Sequence, residues 1–239
     1  MRIEFIGETG STNADLAARL SAGEHLGEGF WLVADRQTAG RGRHGRQWLD
    51  AAGNFMGSTV VVLRSDDPPA TQLSMVAALA LLELLQQRVP DPRRLHLKWP
   101  NDVMLDGDKF CGILLERVGR HVVVGIGVNL AAAPVVEGRA IKALSALGPA
   151  PQRDVFAREL AEAMAGELAR WRGLGGGDTL RRWSACAHPR GTKLKVHDEH
   201  GAPLAGRFEG LTEDGAMILR LEDGASRVIH AGDVTEETN

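Results

Sequence analysis

The apolar positions before residue 188 form two long helical stretches and several short strand-like runs. Residues 71–88 are rich in alanine and leucine, which favour helix, and residues 154–171 are acidic early and basic late, which suits the helix dipole. Ser11 precedes the helix-forming segment 14–20 as a natural N-cap. Strand-like runs occupy residues 30–34, 54–63, 95–99, 103–105, 111–117 and 122–130, and Asp106-Gly107 is typical of a hairpin turn.

The pattern changes after residues 173–177, a glycine-rich stretch that predicts a flexible break. Short runs at 192–197, 204–211, 216–221 and 226–230 then alternate with the turn sequences Glu199-His200-Gly201, Glu213-Asp214-Gly215 and Glu222-Asp223-Gly224. Short strands separated by regular glycine-containing turns are typical of a small barrel or sandwich. We therefore expect two domains, residues 1–188 and residues 189–239.

The composition indicates a globular protein and argues against a protein devoted to membranes or nucleic acids. Of 239 residues, 44% are hydrophobic, the net charge is -3 and the pI is near 6.2, whereas nucleic-acid binders usually carry a basic face. The start of the chain lacks the apolar core of a signal peptide, and the longest apolar run, 75–85, is too short to span a membrane. The two cysteines, Cys111 and Cys186, lack metal-ligand spacing and suit a reduced, cytoplasmic protein.

Residues 40–46 combine three glycines with three arginines in the run Gly40-Arg41-Gly42-Arg43-His44-Gly45-Arg46. Glycine lets a backbone approach a ligand closely, and arginine presents a permanent cation that matches carboxylate and phosphate oxygens. The run therefore predicts a loop that closes over an anion. Its spacing also fits a dinucleotide-binding fingerprint, but no helix start follows it, as that site requires. No Gly-Lys-Ser/Thr follows either, which excludes a Walker A loop, while a surface or RNA-binding loop remains an alternative for the run taken alone.

A second group of polar residues interrupts the apolar strands between residues 98 and 130. Lys109 begins one strand, and Asn129 is the first polar residue after another. Asp102 supplies a carboxylate of the kind that Mg2+ binds together with substrate phosphates. Each of these residues alone has an ordinary structural explanation, such as a turn or a surface lysine. Their occurrence together with the glycine–arginine loop favours a binding site for an anionic ligand.

Five segments of the chain match a known family in order and spacing. They are Ser11-Thr12-Asn13, the run from Gln37 to Trp48, Lys98-Trp99-Pro100-Asn101-Asp102, Lys109-x-x-Gly112-Ile113 and Gly125-Ile126-Gly127-Val128-Asn129. From residue 11 to about residue 130 the chain resembles the biotin protein ligases, and the part after residue 190 resembles their SH3-like C-terminal domain. This family uses ATP and Mg2+ to convert biotin to biotinyl-5′-AMP and passes the biotinyl group to a lysine of a biotin carboxyl carrier protein.

The resemblance implies an α+β fold, in which a central mixed sheet with packed helices is followed by a small SH3-like barrel. The catalytic domain would be of the class II synthetase and biotin–lipoyl ligase type. The implied enzyme is a biotin–[acetyl-CoA-carboxylase] ligase with biotin and ATP as substrates and Mg2+ as its metal ion. A lipoate–protein ligase shares the fold and the acyl-adenylate chemistry and is the alternative, although Gln37 and the glycine–arginine loop favour biotin.

The resemblance also implies roles for individual residues. Lys109, Arg43 and Arg41 are the expected catalytic cations, because the biotin carboxylate must approach the α-phosphate against electrostatic repulsion. Asp102 is the expected metal ligand. The expected biotin-binding residues are Ser11, Thr12, Asn13, Gln37, Gly40, Arg41, Gly42, Arg43, Lys109 and Gly112, and the expected ATP-binding residues are Arg43, Arg46, Trp48, Lys98, Asn101 and Asn129.

Some features distinguish this chain within the family. Many members begin with a helix-turn-helix domain, whereas Ser11 lies near the start here, so we expect a monofunctional ligase with no DNA partner. Cys111 beside Lys109 predicts a site sensitive to thiol reagents. The C-terminal segment lacks a basic cluster, so no ATP contact is expected from it. A homodimer formed by joining sheet edges is common in such domains, and nothing in the sequence requires it.

Overall fold

The computed structural model describes residues 2–136, 140–197 and 203–236, and the turn predicted at Glu199-His200-Gly201 lies outside these residues. In the described part of the chain, the first sheet consists of β1 (Arg2–Thr9), β2 (Phe30–Gln37), β3 (Phe55–Val62), β4 (Leu95–Lys98), β5 (Asp102–Leu105), β6 (Asp108–Val118) and β7 (His121–Val128). The second sheet consists of β8 (Lys193–His197), β9 (Leu204–Leu211), β10 (Met217–Arg220), β11 (Ser226–Ile229) and β12 (Asp233–Glu236). The helices are α1 (Thr12–Ser21), α2 (Leu73–Gln86), α3 (Arg153–Leu174) and α4 (Gly176–Ala185).

The first sheet is mixed, as expected, with the strand order β1-β2-β3-β7-β6-β5-β4. β1 and β2 are parallel and α1 connects them, whereas the other neighbours are antiparallel. The predicted hairpin turn at Asp106-Gly107 is confirmed, because both residues have positive φ angles, 53° and 84°, as a tight primed turn requires. The second sheet is antiparallel, with the order β11-β10-β9-β8-β12, and its turns at Gly215 and Gly224 also have positive φ angles.

The central strands β3, β6 and β7 carry two faces of different character, because side chains alternate along a strand. On one face, side chains such as Val61, Val124 and Ile126 pack in the main core with α2 and α3. On the other, which we call the α1 face, Val60 and Val123 pack against Leu16 of α1. Beyond the N-terminus of α1 the same face carries Ser58, Gly112, Gly125 and Gly127, and a hollow is left above them.

The second sheet packs onto the first part of the chain through a shared core. Buried residues of this sheet, including Phe208 and Met217, belong to the same apolar cluster as Leu73 of α2. Hydrogen bonds fix the contact: Gln72 Nε2 donates to the carbonyl oxygen of Glu213 at 2.6 Å, and Trp99 Nε1 donates to that of Gly215 at 3.1 Å. The domain boundary expected at residue 188 falls between α4 and β8 and stays a prediction, because the two sheets share one apolar core.

Three elements were not predicted from the sequence, namely β1, α4 and β12. The stretch 173–177, expected to be a flexible break, is a sharp junction between two helices, at which Gly175 adopts a φ of 82°. Only a residue without a Cβ takes that conformation easily, so glycine ends α3 and lets α4 begin at once. No helix in the described parts of the chain is long and apolar enough to cross a membrane.

Gln72 is expected to contribute measurably to stability, because its buried amide links α3 to the second sheet. Its Oε1 accepts from Trp171 Nε1 at 2.9 Å, while its Nε2 binds Glu213. The substitution Gln72→Met leaves a buried indole N–H without an acceptor and should lower the free energy of unfolding by about 1–3 kcal/mol. Urea denaturation measures this change, and the exposed Gln86→Met is the matched control. If the two variants differ by less than about 0.5 kcal/mol, Gln72 is not such a link.

Candidate active site

A cavity of about 390 Å3 opens on the α1 face of the first sheet. Its floor lies where β6 and β7 carry glycine: Gly112 pairs with Gly127, and Gly125 pairs with Leu114. No side chain rises from a strand at a glycine, so space is left above the sheet at these positions. The cavity therefore results from the placement of three glycines on one face of two adjacent strands.

One end of the cavity is a buried, uncharged hydrogen-bonding surface formed by the start of α1 and the end of β2. Ser11 caps α1 by accepting from the backbone N–H of Ala14. The backbone N–H of Thr12 donates to Gln37 Oε1 at 2.8 Å, and the Thr12 hydroxyl, 3.0 Å from the same oxygen, can donate to it as well. Ser11, Thr12 and Asn13 retain 4% of their accessible surface or less. A ligand group bound here has to match amide and hydroxyl groups rather than charges.

The glycine–arginine run forms a small loop over the same cavity. The backbone N–H of Gly42 donates to the Arg46 carbonyl at 2.7 Å, and that of Trp48 donates to the Gly40 carbonyl at 2.9 Å. At the tip, His44 and Gly45 have positive φ angles of 55° and 68°. Arg41, Arg43 and Arg46 all line the cavity, so the loop brings three cations to one opening.

Three glycines of the predicted motifs are explained by the tryptophan that follows this loop. The Trp48 indole lies over the cavity floor, where a Cβ on Gly127 would come within 2.4 Å of its Cε2 and a Cβ on Gly112 within 3.0 Å of its Cζ3. A Cβ on Gly40 would approach the Trp48 carbonyl oxygen to 2.6 Å. A side chain at Gly127 or Gly40 would therefore displace Trp48, and one at Gly112 would press tightly against it. Trp48 thus packs against backbone rather than in the apolar core.

A cation and a carboxylate from adjacent strands also meet in the cavity. Lys109 of β6 donates from Nζ to Asp102 Oδ1 of β5 at 2.6 Å, with both side chains about one fifth exposed. Asn101 donates to the backbone carbonyl of Ile113, which fixes the turn before β5. Asn129 is buried and accepts from Asn54, whose own Oδ1 accepts from the backbone of the next segment, 131–132.

Asp102, the predicted metal ligand, lies in the cavity as the partner of Lys109. Among those residues, no three His, Cys, Asp or Glu side chains are grouped so as to hold a metal ion. A site of this type suits Mg2+ only when a ligand supplies most of the oxygens, as phosphates do. The carboxylate of Asp102 fits that requirement and also orients Lys109.

The last strand of the second sheet closes one side of the cavity. Asp233, Val234 and Thr235 of β12 line it, and Asp233 forms an ion pair with Arg46 of the loop. The sequence predicted no strand here, and the expectation of no ATP contact from this part of the chain stays a prediction. In the structure, a short strand near the C-terminus pairs with β8, and this pairing places its residues at the cavity of the first sheet.

The cavity brings together nearly every residue that the sequence analysis singled out. Gly40 is the exception, since it lies behind Trp48. The sequence analysis missed Ser58 as a cavity residue, although a polar serine within the apolar strand β3 could have indicated a site. Pro134, Val136 and Ile141 also line the cavity, and nothing in the sequence pattern marks them as site residues. The predicted residues that line the cavity are Ser11, Thr12, Asn13, Gln37, Arg41, Gly42, Arg43, Arg46, Trp48, Lys98, Asn101, Asp102, Lys109, Gly112 and Asn129.

Comparisons with known proteins agree over the whole chain. The profile of the biotin/lipoate A/B protein ligase family matches residues 11–129, and that of the biotin protein ligase C terminal domain matches residues 195–235. The chain is 40% identical to the biotin--[acetyl-CoA-carboxylase] ligase of Paracoccus denitrificans, with 96% of this chain and 98% of that protein covered. It is 34% identical to the protein of the same name from Mycobacterium tuberculosis (strain ATCC 25618 / H37Rv), covering 98% and 88%. The structure of the biotin protein ligase of Aquifex aeolicus in complex with biotin and ATP superposes with a TM-score of 0.84 at 26% identity, covering 100% and 99%.

Cys111 is expected to resist thiol reagents, contrary to what its position beside Lys109 suggests in the sequence. Its side chain is fully buried, and this burial raises the pKa of the thiol well above its usual range, so the reactive thiolate is scarce. Cys186 is only partly buried. Iodoacetamide at pH 8, followed by peptide mass spectrometry, should label Cys186 well before Cys111, and both should react at similar rates in urea. Equal labelling of the two in the folded protein contradicts this expectation.

Proposed function

The chain belongs to the biotin/lipoate A/B protein ligase family, and on that premise we propose that it is an ATP-dependent biotin--[acetyl-CoA-carboxylase] ligase. It activates biotin as biotinyl-5′-AMP and transfers the biotinyl group to a lysine of a biotin carboxyl carrier protein. One observation supports this most directly: a single cavity is lined by uncharged hydrogen-bonding residues, namely Ser11, Thr12, Asn13 and Gln37, and also by the cations Arg41, Arg43 and Lys109. Biotin has the same division, with a neutral ureido ring at one end and a carboxylate at the other.

The uncharged end suits the ureido ring, which carries two N–H donors and one carbonyl acceptor. Ser11, Thr12, Asn13 and Gln37 offer hydroxyl and amide groups for these, and all but Gln37 are almost completely buried. A ligand without matching groups would displace water from the remaining donor and acceptor sites of these atoms without replacing its hydrogen bonds, at a cost of roughly 1–3 kcal/mol each. This surface therefore favours biotin over lipoate, whose ring has no hydrogen-bonding groups of that kind. The relatives that cover nearly the whole chain are likewise biotin ligases.

The cationic end suits the first chemical step. An oxygen of the biotin carboxylate attacks the α-phosphorus of ATP, the bond to the β-phosphate breaks, and pyrophosphate leaves. Two anions must approach each other, so cations held in place before the reaction lower its barrier. Arg41 and Arg43 supply guanidinium groups from the loop, and Lys109, oriented by Asp102, supplies a compact charge from β6.

We assign the nucleotide to residues that line the same cavity as these cations, namely Arg43, Arg46, Trp48, Lys98, Asn101 and Asn129. Mg2+ would enter with the ATP phosphates and bind Asp102, and when bound it offsets part of the phosphate charge. Gly40, Gly42 and Gly112 contribute by leaving room for the loop, Trp48 and the ligand. Strand β12 is close enough to contribute as well, since Asp233 contacts Arg46.

The second step needs no nucleophile from this chain. The neutral amine of the acceptor lysine attacks the activated carbonyl, an amide bond forms, AMP leaves, and the amine proton passes to solvent. Biotinyl-AMP would hydrolyse if water reached it first, so the glycine–arginine loop is assigned the task of retaining it. The two cysteines are free and suit a reducing compartment, so we place the reaction in the cytoplasm. The expectations of a homodimer and of no DNA partner stay predictions.

Lys109→Ala is expected to reduce biotin transfer strongly, because it removes a charge aimed at the reacting groups. Incubation with ATP, Mg2+, biotin and a biotin carboxyl carrier domain, followed by a streptavidin blot, measures transfer, and pyrophosphate release measures the first step. Both rates should fall about 10²- to 10³-fold. Lys193→Ala, which removes an exposed lysine from β8, is the matched control and should keep the wild-type rates. Wild-type protein that neither transfers biotin nor releases pyrophosphate with biotin refutes the proposed function itself.

Arg43→Gly is expected to release biotinyl-AMP, because it removes one of the cations that hold the intermediate. With wild-type protein the intermediate stays bound until the carrier arrives, so biotin appears on the carrier alone. The variant should lose intermediate during gel filtration and biotinylate unrelated lysines, such as those of added serum albumin. His44→Gly is the control, since it adds a glycine to the same loop without removing an arginine. Retention of biotinyl-AMP by Arg43→Gly at the wild-type level rules out this role for Arg43.

A further inference from the structure

Glu116 of β6 contacts both ends of the proposed biotin site without lining the cavity itself. Its Oε2 accepts a hydrogen bond from Asn13 Nδ2 at 2.7 Å, and its Oε1 lies 3.6 Å from Arg41 Nη1. The residue sits on the α1 face, four positions along β6 from Gly112, and its side chain is 30% exposed. One carboxylate thus joins the uncharged wall to the glycine–arginine loop.

Among the hydrogen bonds of the described residues, Asn13 alone links Glu116 to the hydroxyl groups of Ser58 and Thr12. Asn13 is only 3% exposed. It fills the space above Gly125, where a Cβ would lie 2.4 Å from Asn13 Oδ1. Its side chain therefore has little freedom to move. The remaining choice is which way the amide faces, because its oxygen and nitrogen can exchange places by a half-turn.

Glu116 decides that choice. An ionised carboxylate only accepts hydrogen bonds, so the amide must turn its Nδ2 toward Glu116 and its Oδ1 toward Ser58. Ser58 Oγ lies 2.7 Å from Asn13 Oδ1 and must then be the donor in that bond. The orientation of one amide thereby fixes the direction of the next hydroxyl.

The direction passes on to Thr12. Thr12 Oγ1 lies 2.7 Å from Ser58 Oγ and 3.0 Å from Gln37 Oε1, and the single Thr12 hydroxyl hydrogen can serve either. The Ser58 hydrogen is already used for Asn13. Both hydroxyl groups therefore donate their hydrogens to acceptors within the protein. Toward a ligand they can only accept, so the ligand has to supply the N–H donors.

We propose that Glu116 is a positioning residue for the biotin site. By accepting from Asn13 it turns the Ser58 and Thr12 hydroxyls into acceptors for a ureido N–H, and by attracting Arg41 it holds the glycine–arginine loop beside the same cavity. The inference rests on the proposed function and adds Glu116 to the residues that determine biotin specificity. The carboxylate of Glu116 has two separable effects: it accepts the hydrogen bond from Asn13, and its negative charge attracts Arg41.

Two substitutions separate these effects. Glu116→Gln keeps an oxygen that accepts from Asn13 but removes the charge, whereas Glu116→Met removes both. Glu116→Met should raise the Kd for biotin, measured by isothermal titration calorimetry without ATP, at least about tenfold, because a buried amide loses its acceptor. Glu116→Gln should leave that Kd within about threefold and lower the rate of pyrophosphate release at saturating biotin about two- to fivefold, as expected for one exposed ion pair.

The neighbouring residue on the same strand provides the control. Arg117→Met removes a long charged side chain that donates to the carbonyl of Gly119 outside the site, and it should change neither quantity. The proposal is overturned if Glu116→Met binds biotin as tightly as wild type, or if the Gln and Met variants weaken biotin equally. If Glu116→Met does not fold, weakened biotin binding by the folded Glu116→Gln overturns it, and unchanged binding with a slower rate supports it. If the wild-type protein itself binds no biotin, the proposed function is refuted. This outcome differs from those that refute only the role of Glu116.

Discussion

The two-residue period of the central strands is the constraint on which both the core and the site depend. In β7, Val122, Val124, Ile126 and Val128 point into the main core, while the positions between them face α1 and the cavity. The same eight-residue strand must therefore be fully apolar on one face and almost bare on the other. A one-residue slip in register would put valines into the cavity and glycines into the core. The fold cannot change its register without losing the site, and the tight pairing of β6 with β7 secures both.

The second sheet is part of this arrangement and not an appendage to it. Its apolar side chains complete the core that α2 begins, and its turn at 213–215 accepts hydrogen bonds from Gln72 and Trp99. That docking places β12, although it comes last in the chain, at the rim of a cavity built mainly by residues 11–129. The contact between Asp233 and Arg46 then links this sheet to the glycine–arginine loop. The docking of the second sheet thereby decides which residues stand beside the cavity.

The sequence predicted the residues that carry chemistry better than the elements that carry them. The loop of glycines and arginines, the Lys109 segment and the Ser11 cap all come from local patterns, and residues of all three meet at one cavity. β12 could not be predicted, because a four-residue strand is stabilised by its pairing with β8 and has little pattern of its own. The helix junction at Gly175 was taken for a flexible break, since composition does not distinguish a glycine that bends freely from one held at a positive φ. Glu116 was also invisible, because its importance lies in two contacts with residues 75 and 103 positions earlier in the chain.

The two ends of the cavity differ in rigidity, and this difference suits the two demands made on the site. The uncharged end consists of buried groups that already satisfy one another, so little order has to be gained when a matching ring binds. The cationic loop is exposed at Arg41 and contains three glycines, whose backbone freedom lets it rearrange more easily than the buried wall. The rigid end therefore suits recognition of the ligand ring, because a ring group without a hydrogen-bonding match is penalised there. The adaptable glycine–arginine loop suits retention of a reactive intermediate. A carboxylate that touches both, as Glu116 does, lies where occupancy of the first can influence the position of the second.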